Sequence, residues 1–198
     1  MGQREDAPFF PLFVSLRGRR VVVIGGGRIA LRRVRALADF GPEIMVVAPE
    51  CCAGLRELAA AGKITWLDRP YTPGDVEGSF FCLAATDRRE VNRAVFTACR
   101  AAGVPVNVAD RREECDFYFP ALARSGPLVA GITASGQDHA LAKEAAGAVR
   151  SLFAAYGDGT RETWERDDSE HGKTVDTHWQ QGQQAGAGTE PAGDEADS

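Results

Sequence analysis

The strongest chemical signal in the sequence is a glycine-rich segment, Val23-Ile24-Gly25-Gly26-Gly27-Arg28-Ile29-Ala30. It follows an apolar run and opens a helical pattern, which is the context expected of a dinucleotide-binding turn. In this G-x-G-x-x-A pattern Gly25 permits a tight turn, Gly27 lets the backbone approach a pyrophosphate, and Ala30 allows close helix packing. The phosphates would then lie over the helix N-terminus. A glycine turn that serves only packing and an adenosylmethionine site are the alternatives.

A second candidate is the acid that follows the next strand. Dinucleotide-binding folds place an acid about 20 residues after the glycines, where it binds the ribose hydroxyls. The segment Val47-Ala48-Pro49-Glu50 supplies Glu50 at this point. No Arg or Lys lies between Ile44 and Leu55 to bind a 2′-phosphate, so the sequence favours NAD over NADP. The alternative is that Glu50 is an acid at the start of a helix, beside the helix dipole.

Two further strand ends carry polar side chains, in Cys82-Leu-Ala-Ala-Thr86-Asp87 and in Val106-Asn-Val-Ala-Asp110. Both fall on the carboxyl edge of the expected sheet, where open α/β folds bind ligands. Thr86 is a candidate dinucleotide contact. The alternative for both Thr86 and Asp87 is an N-cap for the helix that follows, and this is what we expect of Asp87. Asp110 faces the expected nicotinamide position, where partial burial would make it a stronger base. The alternative is a turn-forming Asp.

Alternating strand and helix patterns must position these residues. The predicted strands cover residues 20–25, 44–48, 63–67, 79–85 and 104–109, and the predicted helices cover residues 28–40, 54–61 and 88–102. Such alternation is typical of an α/β fold with a Rossmann-type, doubly wound parallel sheet. We therefore predict an NAD-binding domain over residues 1–112.

The pattern changes after Asp110. Two strand-like segments, 117–123 and 128–133, are joined by Arg124-Ser125-Gly126-Pro127, which is a hairpin connection rather than a helical crossover. A helix is predicted from about residue 138 to 155, so residues 113–156 form a small α+β segment for dimerisation and substrate covering. Because this segment is too small for a core of its own, we expect it to pack against a second copy in a homodimer.

Residues 157–198 differ in composition from the rest of the chain. They hold 11 Asp or Glu against 3 Lys or Arg, with no Leu, Ile, Met or Phe. A stretch that cannot bury apolar area cannot offset its ordering entropy, so we predict a disordered acidic tail. Subtracting this tail from the 23 basic and 28 acidic residues of the chain leaves 20 and 17, so the body carries a charge of +3.

Composition also excludes several classes of protein. The longest apolar stretches are far shorter than the roughly 20 residues a membrane helix needs. The five cysteines include no CxxC pair and the three histidines include no HExxH, so neither a disulfide framework nor a resident metal site is indicated. We expect a soluble, cytoplasmic protein with a small-molecule substrate and with neither nucleic acid nor membrane as a partner.

Six segments form an ordered set along the chain. They are Phe10-Pro-Leu-Phe-Val-Ser-Leu16, Val21-Val-Val-Ile-Gly-Gly-Gly27, Val46-Val-Ala-Pro-Glu50, Ala84-Ala-Thr-Asp87, Val106-Asn-Val-Ala-Asp110 and Asp116-Phe-Tyr-Phe-Pro-Ala121. In this order and spacing they resemble precorrin-2 dehydrogenases, the NAD-dependent part of siroheme synthases, over residues 8–153. The resemblance implies oxidation of precorrin-2 to sirohydrochlorin with NAD⁺ as hydride acceptor. Family members often also insert Fe²⁺ to give siroheme.

The resemblance implies roles for individual residues. Asp110 matches the catalytic aspartate, a proton acceptor that is also implicated in chelation. The positions that match dinucleotide contacts are Arg28, Ile29, Pro49 and Glu50. A tetrapyrrole with many carboxylates would also be drawn to a mildly basic body. The alternative function is a regulatory module that senses NAD(H) without chemistry and does not depend on Asp110.

The chain departs from the family at Ser135-Gly136-Gln137-Asp138-His139, where relatives commonly have a Gly-Gly-x-Ser-Pro run. Ser135, Gly136 and His139 are the substrate-binding candidates. Ser135 and Asp138 are both candidate N-caps, and the helix end that they form would suit a propionate. His139 stands in place of the proline, either touching substrate or metal or lying as a polar residue in the first helical turn. Relatives continue into a helical domain where this chain has its acidic tail, which weighs against chelatase activity.

Overall fold

The computed structural model describes residues 8–135 and 137–157. Its strands are β1 (Arg20–Ile24), β2 (Glu43–Val47), β3 (Thr65–Leu67), β4 (Phe81–Ala84), β5 (Val106–Val108), β6 (Ala121–Ser125) and β7 (Leu128–Ile132). Its α-helices are α1 (Arg28–Ala38), α2 (Ala53–Ala60), α3 (Arg89–Ala102) and α4 (His139–Gly157). Short 3-10 turns lie at Pro73–Val76 and Arg112–Glu114. Each predicted strand and helix is present, most of them shorter than predicted by a few residues.

The first five strands form one parallel sheet in the order β3-β2-β1-β4-β5. Val23 of β1 pairs with Val46 of β2 on one side and with Leu83 of β4 on the other. The strand order reverses direction on either side of β1, and an open α/β sheet binds its ligands in the crevice outside the carboxyl ends of the strands at that point. The prediction of a doubly wound parallel sheet is confirmed.

Strand β1 is the centre of the core because it sends side chains to both faces of the sheet. Val21 and Val23 pack in the cluster that includes the apolar faces of α1 and α2, whereas Val22 and Ile24 pack in the cluster that includes α3. All four side chains are at most 1% exposed. Each buried aliphatic side chain contributes about 1.5–3 kcal/mol, so the continuous apolar run predicted as a doubly covered strand anchors both layers.

The connection from β3 to β4 contains a 3-10 turn instead of a helix. Asp75 in this turn is buried, and its carboxylate accepts hydrogen bonds from the Arg69 guanidinium at 2.9 Å and from the Thr72 backbone N–H at 2.7 Å. The Arg69 guanidinium is the main cause of the lowered pKa of Asp75. This ionised side chain therefore holds together a crossover that has no helix to pack against the sheet.

Strands β6 and β7 form a separate antiparallel hairpin, with Ala123 opposite Ala130. The predicted first strand of this hairpin, 117–123, was wrong at its start, since β6 begins at Ala121. Phe117 instead packs its ring against Phe81 of the main sheet, with the ring centroids 4.9 Å apart. Residues 117–120 are therefore used to anchor the hairpin to the body rather than to extend it.

Helix α4 closes the described part of the chain. Ala142 and Ala146 are buried among its described side chains, and Arg150 donates to the backbone oxygen of Leu122 in β6 at 2.8 Å. The predicted tail, residues 157–198, lies outside the described residues except for Gly157, where α4 ends. The division of the chain at residues 112 and 156 stays a prediction. Within residues 8–135 and 137–157, no helix is both long and apolar enough to cross a membrane.

Candidate functional site

The first two glycines of the turn, Gly25 and Gly26, pass between the ends of β2 and β4 with no room for side chains. Gly25 has a φ of +124°, and a Cβ at this position would lie 2.5 Å from the backbone oxygen of Ala85. A Cβ on Gly26 would lie 1.8 Å from the backbone oxygen of Glu50. The sequence pattern identified Gly25 and Gly27 but assigned nothing to Gly26, which allows the closest of these backbone approaches.

Gly27 is different, because it faces open space. A Cβ on Gly27 would meet no atom within 4 Å, and Gly27 is the N-cap of α1 without any side-chain cap. The first N–H groups of a helix have no partner within that helix, so this end of α1 offers free donors and a positive dipole to an anion. Arg28 and Ile29 are exposed beside it. The structure thus brings Gly25, Gly27, Arg28 and Ile29 together at one exposed helix end.

Pro49 and Glu50 are exposed at the carboxyl end of β2, directly beside this turn. Gly26 and Cys52 link the two segments, since the Cys52 backbone N–H donates to the Gly26 oxygen at 2.8 Å. Helix α2 has Cys52 as its N-cap and no acid in its first turn. Glu50 therefore lies before the helix rather than at its start, and it is exposed at the carboxyl end of β2.

Asp110 follows β5 at the same edge of the sheet. One of its carboxylate oxygens, Oδ1, accepts from the Asn92 amide at 2.9 Å and from Arg89 at 3.4 Å. Its side chain is 37% exposed, so the carboxylate is less buried than its position at the end of a buried strand suggested. What the structure supplies instead is orientation, because two donors from α3 hold one oxygen of the carboxylate while the group remains open to solvent.

Asn92 is the residue that sequence reasoning missed. It is fully buried, and its Oδ1 accepts from the Thr86 backbone N–H at 3.1 Å while its Nδ2 donates to the Thr86 backbone oxygen at 3.0 Å. The same Nδ2 donates to Asp110, so Asn92 joins the ends of β4 and β5. A signal was present in the sequence: Asn92 is polar but shares the buried face of α3 with Val95 and Cys99.

Thr86 forms part of this network. Its hydroxyl lies 2.8 Å from Asn92 Oδ1 and accepts from the Arg88 backbone N–H at 3.2 Å. The N-cap of α3 is Arg88, so the expectation that Asp87 caps this helix was wrong; Asp87 is simply exposed. Because its hydroxyl already has protein partners, Thr86 shapes the turn at the end of β4.

The substrate candidates before α4 are only partly described. Ser135 has a φ of +53°, its Oγ accepts from the Phe9 backbone N–H at 3.2 Å, and its backbone oxygen accepts from Arg112 at 2.7 Å. Asp138 is the residue that caps α4, since its Oδ1 accepts from the Leu141 backbone N–H at 2.9 Å. Gly136 and the side chain of His139 lie outside the described residues.

Arg89 links Asp110 to a group of charged side chains on α3 and the turn after β5. The carboxylate of Glu114 is buried and accepts from both Arg89 and Arg93, and hydrogen bonding to Arg89 is the main cause of its lowered pKa. An open cavity of about 600 Å³ lies against these three side chains. No cluster of three or more His, Cys, Asp or Glu side chains that could hold a metal ion occurs in the described part of the chain.

The fold and the glycine turn define a dinucleotide-binding protein of the Rossmann class. Residues 12–121 match the family described as "Putative NAD(P)-binding", and the chain belongs to that family. Among solved structures it is similar to "SirC, precorrin-2 dehydrogenase", with a TM-score of 0.64 and 28% identity over 75% of this chain and 74% of that chain.

Curated relatives extend the similarity. The chain is 41% identical to a siroheme synthase of Stutzerimonas stutzeri over 150 residues, which is 75% of this chain and 32% of the relative. It is 39% identical to a "Probable multifunctional siroheme biosynthesis protein HemA" of Ruminiclostridium josui over 144 residues, which is 72% of this chain and 28% of the relative. The resemblance predicted from the ordered motifs is confirmed, and the chain spans about a third of the length of these relatives.

Gly26 and Gly27 of the turn are expected to respond differently to substitution by alanine. Gly26→Ala forces a methyl group against the Glu50 carbonyl, so it should lower the free energy of unfolding by at least about 1–3 kcal/mol. Gly27→Ala meets no protein atom, so it should lower the melting temperature less than Gly26→Ala does, by the small cost of alanine at an N-cap, while its methyl group in the open space before α1 weakens NAD⁺ binding. Thermal denaturation and calorimetric titration measure both effects. A Gly26→Ala protein with unaltered stability would contradict the packing described for this turn.

Proposed function

We propose that this chain is an NAD-dependent precorrin-2 dehydrogenase, which oxidises precorrin-2 to sirohydrochlorin in siroheme biosynthesis. The observation that carries the proposal is Asp110, a carboxylate oriented at the carboxyl edge of the sheet, on the same edge as the open glycine turn. The similarities to a precorrin-2 dehydrogenase structure and to siroheme synthases support the choice of substrate. The +3 charge of residues 1–156 suits a polycarboxylate substrate.

The residues present fit a bound dinucleotide. Gly27 and the N-terminus of α1 would hold its pyrophosphate, because the free N–H groups and the open space lie there together. Glu50 would accept hydrogen bonds from the ribose hydroxyls. When bound, NAD⁺ supplies the acceptor for a hydride lost by the substrate.

Asp110 would accept the proton that the substrate loses during the oxidation. Loss of a hydride and a proton together removes two electrons and two hydrogens from the macrocycle, and the proton needs an acceptor. The carboxylate of Asp110 can take this proton because it is oriented by Asn92 and accessible to a bound molecule. Asn92 acts through Asp110 and is a positioning residue, since its amide is buried beneath the carboxylate.

We further propose that the active form is a homodimer. The hairpin and α4 leave large apolar side chains uncovered: Leu128 is 40% exposed, Leu141 57% and Leu152 53%. The segment before β1 adds Phe10, which is 88% exposed, and Phe13, which is 72% exposed. A second copy that covered these side chains would remove apolar surface from water.

Asp110→Asn is expected to lower kcat for precorrin-2 oxidation by about 100-fold or more, which is the usual range for loss of a general base. The change is isosteric and keeps an oxygen for the Asn92 donor, so NAD⁺ affinity should be unchanged. NADH absorbance and the sirohydrochlorin spectrum, recorded anaerobically, measure the rate. If the native protein binds NAD⁺ but oxidises no precorrin-2, the chain is a dinucleotide-sensing module instead.

A double-mutant cycle tests whether Asn92 affects the reaction by positioning Asp110. Asn92→Ser removes the donor to Asp110, so it should lower kcat in the native background and have no further effect on kcat in the Asp110→Asn background. Additive effects of the two substitutions on kcat would mean that Asn92 acts on the reaction independently of Asp110.

Glu50 is expected to exclude NADP⁺. Its carboxylate would face the 2′-phosphate, and the nearest arginine along the chain, Arg56, donates to the Cys51 backbone oxygen at 2.9 Å. Like charges placed together cost several kcal/mol, so kcat/KM should favour NAD⁺ over NADP⁺ by about 100-fold or more. Glu50→Gln should reduce this preference in kcat/KM for NAD⁺ over NADP⁺. Equal kcat/KM values for the two dinucleotides in the native protein would show that Glu50 does not face the ribose.

The dimer is expected to dissociate when its apolar contacts become charged. The double variant Leu141→Glu/Leu152→Glu should sediment as a monomer, whereas the native protein should sediment as a dimer. Glu144→Gln on the same helix is a matched control, because Glu144 is an exposed polar side chain. A native protein that sediments as a monomer at micromolar concentration would overturn the proposal.

A further inference from the structure

The cavity beside Asp110 has no role in the chemistry described so far. Its volume is about 600 Å³, and it is lined by Arg89, Arg93, Phe96, Arg111, Glu113 and Glu114. The side chains on α3 lie at positions 89, 93 and 96, spaced along one face of the helix, and the others belong to the turn that follows Asp110. The cavity therefore lies between α3 and the turn that directly continues from the proposed proton acceptor.

Arg89 connects this cavity to the reaction site. Its Nη1 lies 3.4 Å from Asp110 Oδ1, and its Nη2 donates to Glu114 Oε1. A molecule whose reacting carbon lies against Asp110 and that extends past Arg89 enters the cavity. A substrate placed in this way would meet the cavity lining with its periphery rather than with its reacting atoms.

The charged side chains that line the cavity differ in how many hydrogen-bond partners they already have. Glu114 is 9% exposed and already accepts from two guanidinium groups, those of Arg89 and Arg93. Arg93 uses one nitrogen for this contact, at 2.6 Å, and its side chain remains 60% exposed. Arg111 is exposed and has no side-chain hydrogen bond or ion pair with any of the described residues. Two guanidinium groups on the rim thus keep donors for an incoming anion.

We propose that Arg93 and Arg111 form a carboxylate-binding subsite, which takes an acetate or propionate arm of the substrate while its ring lies against Asp110. This assignment rests on the proposed function, because the substrate of that reaction is a tetrapyrrole bearing carboxylates on short arms. A guanidinium group presents paired N–H donors that match a carboxylate. Phe96 supplies an apolar wall beside Arg93, whose guanidinium lies 5.2 Å from the ring centroid.

Glu113 allows a test in which substitutions within one subsite change substrate binding in opposite directions. It is an exposed acid on the rim of the same cavity, so its charge opposes a carboxylate that binds to Arg93 and Arg111. Removing a cation from the rim should weaken substrate binding, and removing this anion should strengthen it. A purely structural role of these exposed side chains would not produce two shifts of opposite direction.

The experiment compares single variants of the full-length chain. Arg93→Gln and Arg111→Gln should each raise KM for precorrin-2 about three- to tenfold, the range for loss of a partly exposed charged hydrogen bond. Glu113→Gln should lower KM, and kcat and NAD⁺ affinity should stay the same in all three. Arg100→Gln is the matched control: Arg100 is an exposed arginine on α3 that pairs with Asp116 at 3.0 Å, away from the cavity.

A binding measurement separates this inference from the proposed function. A porphyrin octacarboxylate titrated into the NAD⁺-loaded protein should bind the Arg93→Gln and Arg111→Gln variants more weakly than the native protein or Arg100→Gln. The difference should shrink as salt is raised. If the native protein oxidises precorrin-2 but both variants match Arg100→Gln in KM and in porphyrin affinity, the subsite is overturned. If no NADH forms but the binding differences appear, the proposed reaction fails and the carboxylate subsite stands.

Discussion

The close approach of three backbone segments at the carboxyl edge of the sheet is the constraint on which this structure depends. The turn after β1 must fit between the Glu50 carbonyl and the Ala85 carbonyl, and only glycine leaves the space. Because β1 is buried on both faces, the turn cannot move outward without disturbing both layers of the core. Helix α1 begins beside this turn with an uncapped, exposed N-terminus, so its first N–H groups have no partner within the helix.

A second constraint operates on the other side of the crevice. The fully buried amide of Asn92 satisfies the backbone of Thr86 and one oxygen of Asp110 at once, so the ends of β4 and β5 are held in register by one side chain. A buried amide without partners would be costly, so these contacts stabilise each other. The carboxylate of Asp110 is therefore held from beneath while its open side faces solvent.

Much of this fold could be predicted because its determinants are local. The run at 21–24 is apolar without interruption, as a strand covered on both faces must be, and the helices show apolar residues at helical spacing. The start of the hairpin could not be predicted in the same way. Residues 117–120 have the composition of a strand, yet Phe117 packs against Phe81 and the core of the main sheet instead of extending the hairpin. Tertiary packing outweighs β propensity there.

The same distinction between local sequence and tertiary packing holds for the candidate site. The sequence by itself determined the sheet, the glycine turn and the placement of Glu50 and Asp110 at its carboxyl edge, since each follows from residue type and spacing along one element. Only the tertiary structure decided that Gly26 is the tightest glycine, that Asn92 holds Asp110, and that Arg93 and Arg111 share a cavity. These relations join residues from different elements, and distances between elements depend on how the core packs, which periodicity along the chain does not encode.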